Sequence, residues 1–346
     1  MSKTTPNLPL KVRLLLSAHV FSVDAARRSN LTVNRGLVKV FDPKSPPSSK
    51  PINDVSSFDV TINSDTKLWL RLYNPTTTTS TSATSPGDGV NDDVSLPVVV
   101  YFHGGGFSFM GANSKNYDGL CRRLAREIPA VVLSVNYRLA PEHRCPSQYE
   151  DGFEALKFLE SMDFGSFKAN VDLSRCFIAG DSAGGNLAHH VALKAAGEYS
   201  FEKVKIVGLI AIQPFFGGEE ETESEKRIKG GSLITEERTE WMWKAFLPDG
   251  SDRNHPSVNV FGPNAVDISG AVGFPSTLLI IGGFDPLQDW QRKYHQGLKK
   301  SGKEVDLIEY PNAIHAFYCF PDLPESALLI TEIKNFMHKQ LSKNST

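Results

Sequence analysis

Gly180-Asp181-Ser182-Ala183-Gly184 reads G-x-S-x-G, a spacing that can make a serine hydroxyl a nucleophile. It follows a short, largely apolar run, Arg175–Ala179, and precedes an amphipathic segment, Ala183–Ala196. A strand, a sharp turn and a helix are the context such a motif requires. Glycine at 180 and 184 removes side chains that so tight a turn would crowd. Ser182 would project at the carboxyl edge of a sheet, beside a helix N-terminus. The free N–H groups and partial positive charge there suit a developing oxyanion. Asp181 lies on the turn itself and reads as structural.

A serine hydroxyl is weakly nucleophilic near neutrality, so it needs a base, and the base needs an orienting carboxylate. After Ser182 the histidines are His189, His190, His255, His295, His315 and His338. The first two lie on the helix leading away from Ser182. His295 and His338 fall within helical patterns, and His255 lies in an insertion. His315 follows the last strand-like run, at the sheet edge where Ser182 is expected, and reads as the base. The acid should also end a strand. Asp285 does so after Thr277–Ile281; Asp289, in the first turn of the next helix, is the alternative, although the helix dipole alone favours a carboxylate there.

His103-Gly104-Gly105-Gly106 ends another strand-like run, Val98–Phe102. Glycines at a strand end let backbone N–H groups approach a reacting centre, an arrangement used as the oxyanion loop of lipases and esterases. Phosphate binding fits less well, because no G-x-G-x-x-G opens a helix and no Gly-Lys-Ser/Thr follows. His103 reads as an organiser of the loop rather than the base.

These residues must be held by a scaffold. From about residue 97 short apolar runs rich in β-branched residues (98–102, 130–135, 175–179, 204–212, 277–281, 305–310) alternate with longer amphipathic segments (117–127, 148–162, 183–196, 287–300, 327–340). Continuous apolar runs suit strands buried on both faces, and the alternation predicts a mostly parallel sheet with helices on both sides. Leu68–Tyr73 is a further strand. Residues 8–28 predict an amphipathic helix. Residues 217–275 form an insertion with an acidic run from Glu219, read as solvated surface, and a helix near 235–246 carrying Trp241 and Trp243. Both stretches are candidate cap elements. Phe107, Phe109, Trp241, Phe246 and Phe317 are candidate pocket walls, or core. The Thr/Ser/Gly/Asp-rich stretch within 75–95 predicts a flexible loop.

The chain has 346 residues, 40% of them apolar and 22% charged, which is ordinary for a globular protein that buries a substantial core. The net charge of −2 offers no basic field for nucleic acid. No apolar run approaches the roughly 20 residues of a membrane span. The N-terminal Leu14–Leu16 run is broken by Arg13 and His19 and reads as part of a mature helix rather than a leader. Cys121, Cys145, Cys176 and Cys319 lack metal or redox spacing and read as reduced core residues, consistent with a cytoplasmic or nuclear setting.

Together these motifs resemble the hormone-sensitive-lipase-like branch of the α/β-hydrolases, and within it the plant carboxylesterases. The resemblance rests on His103–Gly106, Asn136-Tyr137-Arg138-Leu139-Ala140-Pro141-Glu142, Gly180–Asn186, Asp285-Pro286-Leu287 and His315-Ala316-Phe317, with Asn34-Arg35 near the start. It implies an α/β-hydrolase domain spanning 1–346, with a small helical cap from 8–28 and part of 217–275. It implies a triad of Ser182, Asp285 and His315, and an oxyanion hole from Gly105, Gly106 and Ala183, with Gly104 shaping the loop and counted in the same set. His103, Gly180, Asp181 and Gly184 support these motifs, while the 137–141 stretch is structural. The substrate implied is a small-molecule ester, with no metal or organic cofactor. Gibberellin receptors, similar throughout, lack the histidine; hydroxyisoflavanone dehydratases often carry threonine for the serine. Ser182 and His315 favour an esterase over a hormone-binding protein or a lyase.

Overall fold

The computed structural model describes residues 6–76, 95–228 and 233–344. Among these, eight strands form one sheet: β1 (Val55–Asn63), β2 (Leu68–Pro75), β3 (Leu96–Phe102), β4 (Val131–Asn136), β5 (Val171–Asp181), β6 (Ile206–Ile212), β7 (Thr277–Phe284) and β8 (Val305–Ile314). Their order is β1-β2-β4-β3-β5-β6-β7-β8. The first two pairings, β1 with β2 and β2 with β4, are antiparallel, and the rest are parallel. This is the mostly parallel α/β architecture expected. Every residue of β3 is buried, as a strand covered by helices on both faces requires.

Helices α3 (Lys115–Glu127) and α9 (Pro324–Lys343) cover one face of the sheet. The other carries α4 (Ser147–Leu159), α5 (Ala183–Glu198) and α8 (Gln288–Lys300). At the N-terminus α1 (Leu10–Ala26) straddles both: Val12 and Leu16 join one core, Val23 and Ala26 the other. Among the described residues no helix is long and apolar enough to cross a membrane. Cys121, Cys145 and Cys176 are buried free thiols, and Cys319 is partly buried.

Three elements differ from expectation. β1 pairs with β2, but its outer half exposes Asp59 and Thr61, and this polarity hid it in the sequence. The short α2 (Arg35–Phe41) is started by the Asn34 side chain, which accepts from Leu37 N–H at 3.3 Å. Within the acidic run, α6 (Glu223–Arg227) opens with a capping box between Thr222 and Glu225, and Glu225 also accepts from Trp290 Nε1 at 3.1 Å. That part of the run is therefore anchored rather than merely solvated. The helix expected near 235–246 is α7 (Glu236–Phe246). Most of the loop expected at 75–95 lies outside the described residues.

Candidate active site

β5 delivers Ser182 and α5 leaves from it, so one residue makes the whole reversal. Ser182 has φ 52° and ψ −119°, a strained conformation for a residue with a side chain. The turn works only because glycine flanks it. A Cβ on Gly180 would lie 2.2 Å from Gly184 O, and one on Gly184 would lie 2.0 Å from Phe102 O. Ser182 N–H donates to Ile212 O at 2.9 Å, and its carbonyl accepts from Phe215 N–H at 2.8 Å. The hydroxyl is thereby fixed at the carboxyl edge of the sheet.

His315 is the first residue beyond β8, and Asp285 the first beyond β7. The fold brings both to Ser182. His315 Nε2 stands 3.0 Å from Ser182 Oγ, and His315 Nδ1 stands 2.7 Å from Asp285 Oδ2. Asp285 is fully buried and His315 almost so. An ionised carboxylate only accepts, so Nδ1 carries the hydrogen and Nε2 is left bare toward the serine hydroxyl. Asp285 Oδ1 also accepts from Leu287 N–H at 2.9 Å, and Oδ2 from Gln291 Nε2 at 2.9 Å. Asp289, the alternative acid, faces away: it accepts from Ser224 N–H at 2.8 Å and pairs with Arg292 at 3.1 Å.

The glycine loop after β3 folds beside Ser182. Gly105 and Gly106 have φ of 105° and 58°, and a Cβ on Gly105 would meet Phe109 O at 2.3 Å. Among the described residues no backbone carbonyl accepts from the N–H of Gly105, Gly106 or Ala183. Gly104 differs from the expectation that counted it with the oxyanion residues. Its N–H is taken by Tyr117 Oη at 2.7 Å and Asp181 Oδ1 at 3.1 Å. It braces the loop and has no hydrogen left to donate. His103 is fully buried, with Nδ1 2.8 Å from Gly104 O and its ring stacked on Tyr137 at 4.2 Å. Burial lowers its pKa to about 3, so it stays neutral and holds the loop.

Asp181 is the hub of this bracing. Oδ1 accepts from Tyr101 Oη at 2.7 Å; Oδ2 accepts from Tyr117 Oη at 2.8 Å and Tyr318 Oη at 2.7 Å. Burial raises its pKa, while the three phenol donors oppose that rise. The 136–142 motif supports the same loop from outside. Tyr137 Oη donates to His103 O at 2.7 Å, and Ala140 N–H to Phe107 O at 2.9 Å. Arg35 grips Glu142 through two nitrogens and donates to Ser108 O at 2.5 Å, tying α2 to the loop. The tyrosines, Gln291 and Arg35 were not singled out for such roles in the sequence. Their partners lie 64 to 137 residues away for Tyr101, Tyr117 and Tyr318, a distance no local pattern bridges.

A cavity of about 420 Å³ opens over Ser182 and His315. Its walls are mainly apolar: Leu15 and Val23 of α1, Phe109, Met110, Met242 and Phe320. Of the five aromatic candidates only Phe109 lines it. Phe107 and Phe246 stack on each other at 3.8 Å, Trp241 donates to Arg28 O, and Phe317 is buried beside Tyr310. Helix α1 is strapped across the opening. Arg238 of α7 forks onto Asp24 at 2.8 and 2.6 Å, Arg27 meets Glu237 at 2.6 Å, and Lys11 meets Asp322 at 2.6 Å. Among the described residues no cluster of His, Cys, Asp or Glu is arranged to hold a metal ion.

A mostly parallel sheet, a nucleophile-type turn at the end of its central strand, and a histidine and aspartate at later strand ends define an α/β-hydrolase. The chain belongs to that family: the α/β-hydrolase fold model matches residues 99–319, and a carboxylesterase family model matches 39–142. Within the family it is related to plant carboxylesterases and gibberellin receptors. It is 42% identical over 340 residues to the gibberellin receptor GID1C of Arabidopsis thaliana, covering 98% of this chain and 96% of that one. Carboxylesterase 20 of the same plant is 36% identical over 299 residues, covering 85% of this chain and 89% of that one. A hyperthermophilic esterase from Pyrobaculum calidifontis superposes with a TM-score of 0.70 at 28% identity, covering 97% and 99% of the two chains.

Proposed function

We propose that this protein is a serine carboxylesterase that cleaves small carboxylic esters through an acyl-enzyme. The observation that carries the reading is His315, bonded to Asp285 through one ring nitrogen and to Ser182 through the other. Ser182 Oγ attacks the ester carbonyl carbon as His315 Nε2 takes the hydroxyl proton. The N–H groups of Gly105, Gly106 and Ala183 hold the resulting oxyanion. The imidazolium returns its proton to the leaving alcohol as the C–O bond breaks, leaving the acyl group on Ser182. Water, deprotonated by His315, then attacks the acyl carbon; the acid departs and Ser182 regains its proton. Asp285 keeps the imidazole in the working tautomer and stabilises its charge. The apolar cavity suits an ester with an uncharged, largely hydrocarbon body, and α1 with the α7 region acts as its cap.

A second reading, small-molecule binding without rapid turnover, is favoured by the likeness to GID1C across 98% of the chain, which includes the helix over the cavity. A p-nitrophenyl alkylphosphonate separates the two. An activated serine is phosphonylated with release of p-nitrophenol, and intact mass spectrometry then finds one adduct, on Ser182. An unlabelled parent protein would overturn the esterase reading.

A further inference from the structure

Gln213 has no part in the sequence motifs, yet its bonds reach the strand that leads to Asp285 and both neighbours of His315. It follows β6 directly, is fully buried, and has φ 44°, a left-handed conformation that costs a non-glycine residue energy. The surrounding structure enforces it. Gln213 N–H donates to Ile280 O of β7, the strand that leads to Asp285. Ile212, just before it, and Phe215, two residues on, hold the backbone of Ser182. The side chain points the other way, toward β8. Its Nε2 donates to Ile314 O at 3.2 Å, and its Oε1 accepts from Ala316 N–H at 3.0 Å. Room for it exists only because residue 282 is glycine: a Cβ there would lie 2.4 Å from Gln213 Nε2.

We propose that Gln213 is a positioning residue for His315. Ile314 C=O and Ala316 N–H belong to the two peptide groups that flank the His315 Cα. Holding both fixes the direction in which the imidazole leaves the backbone. That direction has to satisfy a 3.0 Å contact to Ser182 and a 2.7 Å contact to Asp285 at once. The clamp needs one donor and one acceptor on a single planar group, which an amide supplies and a carboxylate or hydrocarbon does not. Ala316 itself has φ 65°, so the chain turns sharply just past His315, where no strand pairing steadies it. This assignment rests on the proposed role of His315.

The test uses Gln213→Met, which keeps the volume and loses both bonds, and Gln213→Glu, which keeps only the acceptor. Hydrolysis of p-nitrophenyl butyrate is measured in the parent and in a His315→Ala background. In parallel, proton NMR follows the His315 Nδ1–H that bonds Asp285. With the clamp gone, kcat falls about 10–100-fold while KM stays within about threefold, as expected for a misplaced catalytic group. The Nδ1–H signal broadens or disappears. In the His315→Ala background the Gln213 change costs nothing more, because its effect runs through the missing ring. Gln213→Glu gives a smaller loss of the same kind, and it serves alone if the Met variant does not fold. Unchanged kcat with an intact Nδ1–H signal would overturn the proposal. So would an equal further loss in the His315→Ala background, which would mark a general structural role. If the parent shows no Ser182-dependent turnover, the esterase reading fails, and the NMR signal alone decides whether Gln213 positions the ring.

Discussion

Replacing Asp285 with asparagine should silence the site through the tautomer of His315 rather than through its position. The carboxylate accepts three bonds, from Leu287 N–H, Gln291 Nε2 and His315 Nδ1. An asparagine must place its NH₂ at one of two sites. At the Oδ1 site it would oppose the Leu287 N–H, donor against donor. At the Oδ2 site it meets Gln291 and His315. Gln291 can adapt: its Oε1 is buried with no partner among the described residues, and turning the amide over presents that oxygen to the new NH₂. The turn also gives up only a long 3.4 Å bond to Pro214 O. The favoured arrangement therefore donates to His315 Nδ1, which moves the ring hydrogen to Nε2. The nitrogen facing Ser182 can then no longer take its proton. The loss of kcat/KM for p-nitrophenyl butyrate should be about 10⁴-fold, by analogy with the same change in a serine protease, or about 5.4 kcal/mol of transition-state stabilisation. KM should move little. An Asp285→Asn variant that is correctly folded and retains more than about a tenth of parental kcat/KM would refute both the tautomer argument and the role given to Asp285.

Three further outcomes follow from the geometry. Gly184→Ala drives a Cβ to 2.0 Å from Phe102 O, backbone that cannot swing aside, so it should cost upward of about 3 kcal/mol in urea unfolding and lower soluble yield. Arg238→Gln removes the fork on Asp24 that straps α1, and should speed amide exchange in 10–26 and raise KM about two- to fivefold, with less than about 1 kcal/mol lost in global stability. Arg238 holds the Asp24 pKa below its ordinary value, so the strap is complete above about pH 4 and weakens as pH falls through that lowered value. His103 and His189 are buried and neutral, the first with a pKa of about 3 and the second well below the ordinary value, both through desolvation. The unfolded chain protonates near pH 6.5, so below that point each should subtract about 1.4 kcal/mol of stability per pH unit, and His189→Gln should flatten the urea midpoint between pH 6 and 5 accordingly.

Much of the fold was legible because its central strands are buried on both faces. Runs such as Val98–Phe102 and Thr277–Ile281 are continuously apolar there and rich in β-branched residues, and the helices between them carry one apolar side. β1 was not legible because an outer antiparallel strand alternates with solvent, and α2 because seven residues are too few to show a period. In the site, Ser182 announces itself through glycines that local sterics demand. Asp285 and His315 could be selected because each stands where a strand ends. What supports them was hidden. Asp181 binds three phenols, Gln291 reaches Asp285, and Gln213 reaches across to residues 314 and 316, all polar residues of ordinary type whose partners are set by sheet order alone. The same reason explains Gly104, whose N–H is consumed by Tyr117 and Asp181 although its motif suggests a free donor. Four of the five aromatic residues considered as pocket walls pack into the core, and aliphatic α1 residues take their place at the cavity.

The central claim is that Ser182 and His315 work as nucleophile and base. Steady-state hydrolysis of p-nitrophenyl acetate and butyrate by the parent protein, Ser182→Ala and His315→Ala, side by side, tests it most directly. The account predicts turnover in the parent and a fall in kcat of about 10⁴–10⁶-fold in each variant. A correctly folded parent without turnover, or variants that keep most of the activity, would contradict it.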